Sequence, residues 1–311
     1  MTEAAVIVLG SVNADLVIRT PRLPAPGETV LGGEFFRAGG GKGANQAVAA
    51  ARCALEPVAF IGAVGDDLFG REAIEQLQHE NLDSRQLKVV ADQPTGVALI
   101  TVDESGENTI SVAPGANASL LPQDVLAIDE DIFRDARVFL TCLESPVATV
   151  VAALRRARQA GLITILNPAP ANTEILNEGI LSLVDIITPN EGEAASLAAA
   201  DVSSPEAVKR MAHRFRELGC GEVLLTRGPQ GAWIITEEQL RPVAAHQVQA
   251  VDTTAAGDAF NGTLAVALAE DRPLVEACHW ANAAAAIAVT RPGARPSLPT
   301  RKEIESVVNS R

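Results

Sequence analysis

The sequence predicts an α/β fold in which a mostly parallel central sheet is flanked by helices on both faces, with a small antiparallel β lid. Short apolar runs of strand length alternate with amphipathic stretches of helix length, for example 149–159 and 206–218. Because parallel strands need crossover connections, this alternation is typical of a sheet covered on both faces. The strand-length runs are 6–9, 58–61, 138–140, 163–166, 186–188 and 223–226.

Two segments break this alternation and predict antiparallel hairpins. One covers 29–36 and turns at Gly32-Gly33, and the other covers 97–112 and turns near Ser105-Gly106. Neither hairpin is long enough to bury a core, so we expect them to pair as a small sheet beside the main one. We place this lid sheet at about 13–18, 28–37 and 95–113. A surface hairpin without a role is the alternative.

Composition limits the classes of partner. The chain has 311 residues, a formal net charge of -14 and four cysteines, Cys53, Cys142, Cys220 and Cys278. Nucleic-acid affinity comes mainly from clustered basic residues, so this acidity argues against a nucleic-acid partner. The cysteines are far apart and form no metal-binding spacing, which predicts reduced residues in the core.

The sequence gives no sign of export or of a membrane segment. An apolar strand comes directly at the N-terminus, without a basic region or a long apolar stretch before it. The longest strongly apolar stretch, 283–289, is far shorter than the roughly 20 residues that span a bilayer. We therefore expect a cytoplasmic protein without a membrane partner.

A glycine-rich segment at 38–46 (AGGGKGANQ) is the first candidate site. It is followed at once by a helical run through Ala51. Glycines let backbone N–H groups approach a polar ligand closely, and a helix start adds positive potential. The segment is not a P-loop, because Lys42 is followed by Gly43 where a P-loop has Ser or Thr. A tight structural turn is the alternative.

A second candidate site lies at 251–262 (VDTTAAGDAFNG). A helix that starts at Ala255, Ala256 and Gly257 presents unobstructed N–H donors, which form an anion hole for a transferring phosphoryl group. Asp258 lies in the first turn, where its carboxylate can accept the proton of an attacking hydroxyl. The alternative for Asp258 is an acidic residue that only stabilises the helix dipole.

These two segments together resemble the ribokinase family of carbohydrate kinases, and the resemblance runs over essentially the whole chain. It is also carried by 10–15 (GSVNAD), 40–50 (GGKGANQAVAA), 167–171 (NPAPA) and 187–191 (ITPNE). The resemblance implies one ribokinase-like kinase domain over 1–311 that transfers the γ-phosphate of ATP to D-ribose, giving ribose 5-phosphate. It also implies a homodimer formed through the lid sheet.

The resemblance assigns roles to individual residues. Asp258 would be the general base, and the sugar hydroxyls would be bound by Asn13, Asp15, Gly41, Lys42, Asn45 and Glu144, together with Asp258. Carboxylates and amides suit a polyol, because they accept from and donate to several hydroxyls at once. Asp15 as a turn residue and Glu144 as a helix-start acid are the alternatives for these two.

The nucleotide and the cations would lie beside the sugar. The resemblance points to nucleotide contacts at Asn190, Glu193, Thr226, Gly228, Gly231 and Asn282. It associates the Asn–Glu segment with Mg²⁺ held largely through waters. A monovalent cation, K⁺, would be held mainly through carbonyl oxygens at Asp252, Thr254, Arg291, Gly293 and Ser297. The Pro229-Gln230 pair departs from the family pattern, so the local turn around the nucleotide is expected to differ.

Three other functions stay open on the sequence. A kinase of the same family could act on deoxyribose, a ketohexose or adenosine, and Phe35 and Phe36 in the first predicted hairpin hint at a base contact, although core packing or a dimer also explains them. A sugar-binding protein without turnover would keep the fold, but the intact Asp258 argues against it. A nicotinamide oxidoreductase lacks support, because no G-x-G-x-x-G follows the first strand.

Overall fold

The computed structural model describes residues 4–177, 179–200, 202–237 and 239–310. The strands are β1 Val6–Leu9, β2 Asn13–Arg19, β3 Phe35–Gly40, β4 Val58–Gly65, β5 Leu82–Val90, β6 Gly96–Val102, β7 Asn108–Ala113, β8 Val138–Cys142, β9 Ile163–Asn167, β10 Ile186–Ile187, β11 Glu222–Thr226, β12 Ala232–Ile235 and β13 Leu240–Val243. The helices are α1 Lys42–Cys53, α2 Leu68–Gln78, α3 Pro122–Leu126, α4 Glu130–Arg134, α5 Val147–Gln159, α6 Glu191–Ala198, α7 Pro205–Glu217, α8 Ala256–Ala269, α9 Leu274–Ala288 and α10 Arg301–Asn309.

Nine strands form the main sheet, in the order β13-β12-β11-β10-β9-β8-β1-β4-β5. The pairings from β11 through to β5 are parallel, whereas β11–β12 and β12–β13 are antiparallel. All six predicted strands are present, within a few residues of their expected bounds. The edge strand β5 was not predicted, because its polar residues and half-buried pattern lack the apolar run that marks a central strand.

The two faces of the sheet bury separate apolar clusters. On β1, Val6 and Val8 point toward α1, α8 and α9, whereas Ile7 and Leu9 point toward α5 and α7. This alternation is what a strand buried on both faces requires. It confirms the predicted arrangement of helices on both faces of a mostly parallel sheet.

Helices α1 and α8 pack against each other unusually closely, because small residues face each other where they meet. A Cβ added to Gly262 would lie 2.5 Å from the carbonyl oxygen of Gln46 and 2.7 Å from the Cβ of Ala49. The same closeness recurs where α1 meets the end of β1, since a Cβ on Gly43 would lie 2.4 Å from the backbone of Gly10. The first turns of the two helices are thereby held side by side.

A second, four-stranded sheet has the order β3-β2-β6-β7. It contains strands from the three segments predicted as the lid, and we refer to this sheet as the lid. Strands β6 and β7 are antiparallel and are joined by a turn that contains Ser105-Gly106, as predicted. The β2–β3 pairing is also antiparallel, whereas β2 and β6 run parallel to each other.

The predicted hairpin at 29–36 is wrong. Residues 28–34 form no strand, and β3 begins only at Phe35 and pairs with β2. The backbone has a positive φ at both glycines, 99° at Gly32 and 123° at Gly33, so it is not extended there. A Cβ on Gly33 would also lie 1.6 Å from the carbonyl oxygen of Arg19. The glycine pair thus lets the chain pass close to the end of β2. The lid strand predicted at 28–37 accordingly lies at 35–40.

The cysteines lie in the core, and the described helices contain no membrane span. All four cysteines are buried and free, as expected. Burial raises the pKa of each of the four thiols to about 12, which makes them inert at neutral pH. Within the described residues, no helix is both long enough and apolar enough to cross a membrane.

Candidate active site

The glycine-rich segment brings three stretches of backbone together at the carboxyl end of β1. Gly41 has a φ of 88°, and a Cβ on it would lie 2.7 Å from the carbonyl oxygen of Ser11. A Cβ on the neighbouring Gly40 would overlap the carboxylate of Asp15, at 2.0 Å from Oδ1. These contacts explain why the segment is rich in glycine, and α1 begins immediately after it at Lys42.

Glu144 follows β8 and faces the start of α1. Its Oε2 accepts hydrogen bonds from the Ser11 hydroxyl and from the backbone N–H of Lys42, the latter at 2.9 Å. Because both bonds fall on one oxygen, Oε1 is left to accept from a ligand. Ser11 was not predicted as a site residue, although it lies in the GSVNAD segment that carried the resemblance.

Asn117 is a second residue that the sequence analysis missed. Its Nδ2 donates to Oδ1 of Asn13 at 2.8 Å and to the Val12 carbonyl at 3.1 Å, while its own Oδ1 accepts from the Val12 N–H at 2.9 Å. The oxygen of Asn13 is therefore occupied, and its amide nitrogen is the end left for a ligand. Asn117 lies in a short 3₁₀ helix after β7, and no motif marks it.

Asp258 lies in the first turn of α8 and is only 6% exposed. Asn45 Nδ2 donates to its Oδ2 and Gln46 Nε2 donates to its Oδ1, both at 3.1 Å. Burial raises the pKa of Asp258 to about 6, while the Lys42 ammonium and the two amide donors oppose that rise. The group is therefore charged at neutral pH but close to the range in which it can exchange a proton.

Asp15 extends from the lid toward the same space. Burial raises its pKa to about 6, with the charge of Arg295 opposing the rise and those of Glu144 and Asp258 adding to it. The Asp15 carboxylate makes no hydrogen bond to any residue that the structure describes. Four titratable groups, Asp15, Lys42, Glu144 and Asp258, thus influence one another in one small volume.

Arg295 lies behind this volume and is nearly fully buried. It donates to the Gly40 carbonyl at 2.7 Å and to Oδ1 of Asn45 at 3.3 Å. Burial lowers its pKa to about 10, and the charges of Asp15 and Glu80 counteract this. Arg295 was not predicted, because only its neighbours in the C-terminal loop matched the family pattern.

The start of α8 has the geometry expected of an anion site. Ala255 caps the helix with a φ of 59°, a left-handed conformation that costs a residue with a Cβ about 1 kcal/mol. The N–H groups in the first turn of an α-helix have no hydrogen-bond acceptor within the helix, because no helical carbonyl precedes them. A Cβ placed on Gly257 would meet nothing within 4 Å, so the space in front of this turn is open.

The residues expected to bind the nucleotide lie around α6 and β11. Asn190 caps α6, accepting from the Glu193 N–H at 2.8 Å, and Oε2 of Glu193 accepts from the Asn190 N–H at 2.9 Å. Thr226 lies beside this cap through a bridge to Asn190. Burial raises the pKa of Glu193, and the Lys42 charge opposes this rise. The predicted nucleotide region therefore interacts electrostatically with a residue predicted to bind the sugar.

The other three nucleotide positions lie in the connection between β11 and β12 and on α9. Gly228 and Gly231 have φ values of 51° and 85°, and a Cβ on Gly231 would lie 2.1 Å from the Val243 carbonyl oxygen. Pro229-Gln230 lies in a single 3₁₀ turn between them. Asn282 is buried, and its Nδ2 donates to the Val243 carbonyl at 3.0 Å and to the Ala244 carbonyl at 3.3 Å, so only its oxygen is left for a ligand.

The predicted cation positions form two loops that Asp252 ties together. One carboxylate oxygen accepts from the Thr254 N–H at 2.9 Å and the other accepts from the Gly293 N–H at 2.8 Å. These bonds lower the pKa of Asp252 although burial opposes them. Ser297 is buried and donates to the Ala294 carbonyl, while the Arg291 side chain is paired with Glu303 on α10.

Comparison with known proteins agrees with this geometry. The model of the pfkB family of carbohydrate kinases matches residues 3–301. A ribokinase of Haemophilus influenzae is 43% identical over 296 residues, which is 95% of each chain. The structure of Thermotoga maritima ribokinase has a TM-score of 0.88 at 35% identity, covering 98% of this chain and 99% of that one. Arabidopsis thaliana ribokinase, solved with ribose and ATP, has a TM-score of 0.87 at 30% identity, with 99% of each chain covered. The chain therefore belongs to the pfkB family of carbohydrate kinases.

Proposed function

We propose that this protein transfers the γ-phosphate of ATP to the 5-hydroxyl of D-ribose. The observation that carries the proposal is the convergence of Asp15, Lys42 and Glu144 on Asp258 at the open start of α8. The relatives named ribokinase match over nearly the whole chain, which supports the same substrate here. Because residues from the lid and from α8 meet in this site, we propose that the chain works as one domain.

Asp258 is proposed to remove the proton from the ribose hydroxyl. Its carboxylate is ionised at neutral pH and belongs to the same helix turn as Gly257, in front of which the space is open. The sugar would be held by groups that the protein leaves unpaired, namely the Asn13 amide nitrogen, the Asp15 carboxylate and Oε1 of Glu144. A site with unpaired buried groups discriminates against sugars that lack the matching hydroxyl.

The phosphoryl group is proposed to lie on the N–H groups of Ala255, Gly257 and Asp258, and on that of Ala256 once its long bond of 3.3 Å to the Thr253 carbonyl is given up. These donors and the Lys42 ammonium stabilise the negative charge that is spread over the phosphoryl oxygens during transfer. The residues around α6 fit a hydrated Mg²⁺, because Glu193 keeps one carboxylate oxygen free and lies beside Asn190 at the start of the helix. Asn190 and Glu193 would hold Mg²⁺ through waters, and the ion would shield the phosphate charges when bound.

A monovalent cation is proposed between the loops that contain Asp252 and Gly293. The Asp252 oxygens are already committed to two backbone N–H groups, so the cation would depend on carbonyl oxygens for most of its ligands. Since Thr254 precedes the α8 turn directly, a cation here would stabilise the backbone that forms the anion site. We propose K⁺, because the family resemblance implies it.

The decisive experiment is an assay of ADP formation with MgATP and a panel of acceptors. We expect ribose to be turned over much faster than 2-deoxyribose, fructose, adenosine or buffer alone, and ³¹P NMR to identify ribose 5-phosphate. Replacing K⁺ by Na⁺ should lower the rate, and EDTA should abolish it. Turnover with a different sugar only would replace ribose as the substrate, and no turnover with any sugar would refute the proposed function.

We also propose a homodimer formed through the lid. Strand alternation places Phe36, Ile100, Ile110 and Val112 on one face of the lid, and Ile110 and Val112 are 56% and 51% exposed. Exposed apolar residues that are contiguous on a sheet are typical of an interface. This lid face is the same one that carries Asn13 and Asp15, so a second copy would also cover the sugar from outside.

The dimer can be tested by light scattering during gel filtration. The parent is expected at twice the chain mass of 32.4 kDa, and Ile110→Glu should shift it to the mass of one chain because a charge cannot be buried unpaired. Thr109→Glu places the same charge on the opposite face of β7 and should leave the dimer intact. A parent of single-chain mass at micromolar concentration would contradict the proposal.

The proposed site of action is the cytoplasm. ATP is the phosphate donor, and the four free thiols suit a reducing compartment. Cell fractionation with an antibody to the chain would test this, and recovery in an exported fraction would contradict it.

A further inference from the structure

Gln46 lies one turn into α1, directly behind Asp258, and it is fully buried. Its Nε2 donates to Oδ1 of Asp258 at 3.1 Å and to Oδ1 of Asn167 at 2.9 Å. Neither Gln46 nor Asn167 has a role in the sugar, nucleotide or cation sites, and the proposed transfer of phosphate does not use them directly. Two buried amides next to the proposed base therefore need an explanation.

These amides belong to a closed set of hydrogen bonds, which we call the buried polar ring. Asn167 Nδ2 donates to the Thr188 carbonyl at 3.2 Å, and the Thr188 hydroxyl donates to Oδ1 of Asn261 at 2.6 Å. Asn261 Nδ2 then donates to the Gly257 carbonyl at 2.8 Å. Gly257 precedes Asp258, so the ring ends where it began. It joins α1, β9, the segment after β10 and α8.

The direction of every bond in the ring follows from two backbone carbonyls. A carbonyl can only accept, so Asn261 must present its nitrogen to Gly257 and Asn167 must present its nitrogen to Thr188. The oxygen of Asn167 therefore faces Gln46, and Gln46 must present its nitrogen to Asn167. The same nitrogen then reaches Asp258, so this carboxylate oxygen is held as an acceptor.

The orientation of Gln46 carries an energetic cost at its other amide atom. Its Oε1 is buried and has no hydrogen-bond partner among the described residues. A buried unpaired oxygen is unfavourable, and native structures retain such atoms mainly where another requirement prevails. Here the Gln46 nitrogen serves two acceptors, Oδ1 of Asn167 and Oδ1 of Asp258, and this leaves the oxygen without a partner.

We propose that Gln46 is a positioning residue, and that the buried polar ring behind it holds the Asp258 carboxylate as an oriented acceptor beside the Gly257 turn. The inference rests on the proposed function and deepens it, since it explains how the base and the anion site keep their relative geometry. Asn45 holds the second oxygen of Asp258 in the same manner, at 3.1 Å.

Other charged groups also act on Asp258, and the test must separate them from Gln46. Lys42 on α1 opposes the rise in the pKa of Asp258, and Glu144 after β8 adds to it. Asp15 from the lid, Glu193 on α6 and Cys142 at the end of β8 also interact with Asp258. None of these groups is altered by a substitution at Gln46, so a change in titration reports on the ring.

The test uses Gln46→Met, which keeps the length of the side chain and removes the donor, and Gln46→Glu, which replaces the donor by an acid. Removing a hydrogen bond to a charged carboxylate should raise the pKa of Asp258 by about one pH unit in Gln46→Met. Gln46→Glu should raise it further, because the new carboxyl faces two acceptor oxygens. The readout is the ¹³C titration of Asp258 in the ligand-free protein, assigned with Asp258→Asn.

Activity provides a second, separable readout. In Gln46→Met we expect kcat for ribose to fall roughly tenfold, because the base is less well placed, while KM for ATP stays within about twofold. The acid limb of kcat should move to higher pH in the order parent, Gln46→Met, Gln46→Glu. Thr164→Val is the matched control, since it deletes a buried hydrogen bond to the Leu183 carbonyl near the opposite end of β9. It should lower the melting temperature and leave the pH profile unchanged.

The outcomes distinguish this inference from the proposed function. If the titration of Asp258 and the pH profile are the same in all Gln46 variants, the ring is only structural and the inference fails. If Asp258 titrates in the expected order but no sugar is phosphorylated, the ring positions Asp258 and the kinase proposal fails. If Gln46→Met does not fold, the same titration is measured in Asn167→Leu, which breaks the ring behind Gln46 without placing a new acid beside Asp258, and an unchanged pH profile there would refute the inference.

Discussion

Asp258→Asn is expected to reduce kcat by about 10²- to 10⁴-fold, the range in which general bases contribute to catalysis. The amide cannot accept the hydroxyl proton, whereas Lys42, the α8 amides and the other sugar contacts are unchanged. The KM values for ribose and ATP should therefore change little. The measurement is steady-state ADP formation at saturating concentrations of both substrates. In the parent, kcat/KM should fall below about pH 6, where Asp258 takes up a proton.

A matched control separates this role from that of an ordinary helix-start acid. Glu276 lies in the first turn of α9, is exposed and pairs with Arg272, so Glu276→Gln removes a first-turn acid without touching the site. It should keep nearly full activity. Asp258→Ala serves as a second variant, because the asparagine would turn an amide nitrogen toward one of the two donors at Asn45 and Gln46. A kcat within tenfold of the parent in both Asp258 variants would show that Asp258 is not the base.

Much of the fold could be predicted from the sequence, because apolar runs with a defined length and period have few structural solutions. All six predicted strands lie in the main sheet, and the second lid hairpin turns at Ser105-Gly106. The failure at 29–36 has a specific cause. A glycine pair permits a tight turn and also permits a close passage of the chain past Arg19, and local sequence does not distinguish these.

The central residues of the candidate site could be selected from the sequence, since Gly41, Lys42 and Asp258 belong to motifs with strict local geometry, and their roles stay predictions. The supporting residues could not be selected in this way. Asn117 orients Asn13, Gln46 orients Asp258, and Arg295 donates to Gly40, yet each contact joins residues more than 100 positions apart. A single sequence does not show such pairs. The residue type of a buried amide is the same whether its side chain faces a catalytic base or an empty space.

Asp15→Asn is expected to stabilise the ligand-free protein while it impairs the reaction. Burial raises the pKa of Asp15 from 3.8 to about 6, so the folded state binds a proton more tightly than the unfolded state does. The parent therefore loses stability as pH rises from about 4 to about 6, and this loss persists at higher pH. Asparagine has no charge to bury, so the Asp15→Asn variant does not lose this stability over the same pH range.

The expected gain in the free energy of unfolding is about 2 kcal/mol at pH 8, somewhat below the roughly 3 kcal/mol that the full pKa difference implies, because the carboxylate is partly exposed. The gain should vanish below about pH 4, where both proteins are neutral at this position. Urea unfolding at pH 4, 6 and 8 measures it. A difference that does not vary with pH, or a variant that is less stable at pH 8, would contradict the expectation.

The same substitution should lower kcat/KM for ribose by roughly 10- to 100-fold, the usual loss for one hydrogen bond to a charged group. Ribose should also stabilise the parent more than the variant, because only the parent has a buried carboxylate that gains hydroxyl partners on binding. Asp15 is ionised and makes no hydrogen bond in the ligand-free protein, in contrast to Asp258, whose two oxygens both accept. The two carboxylates have similar pKa values because both are buried. Asp258 is held in place to accept a proton, whereas Asp15 is left unpaired for a sugar hydroxyl.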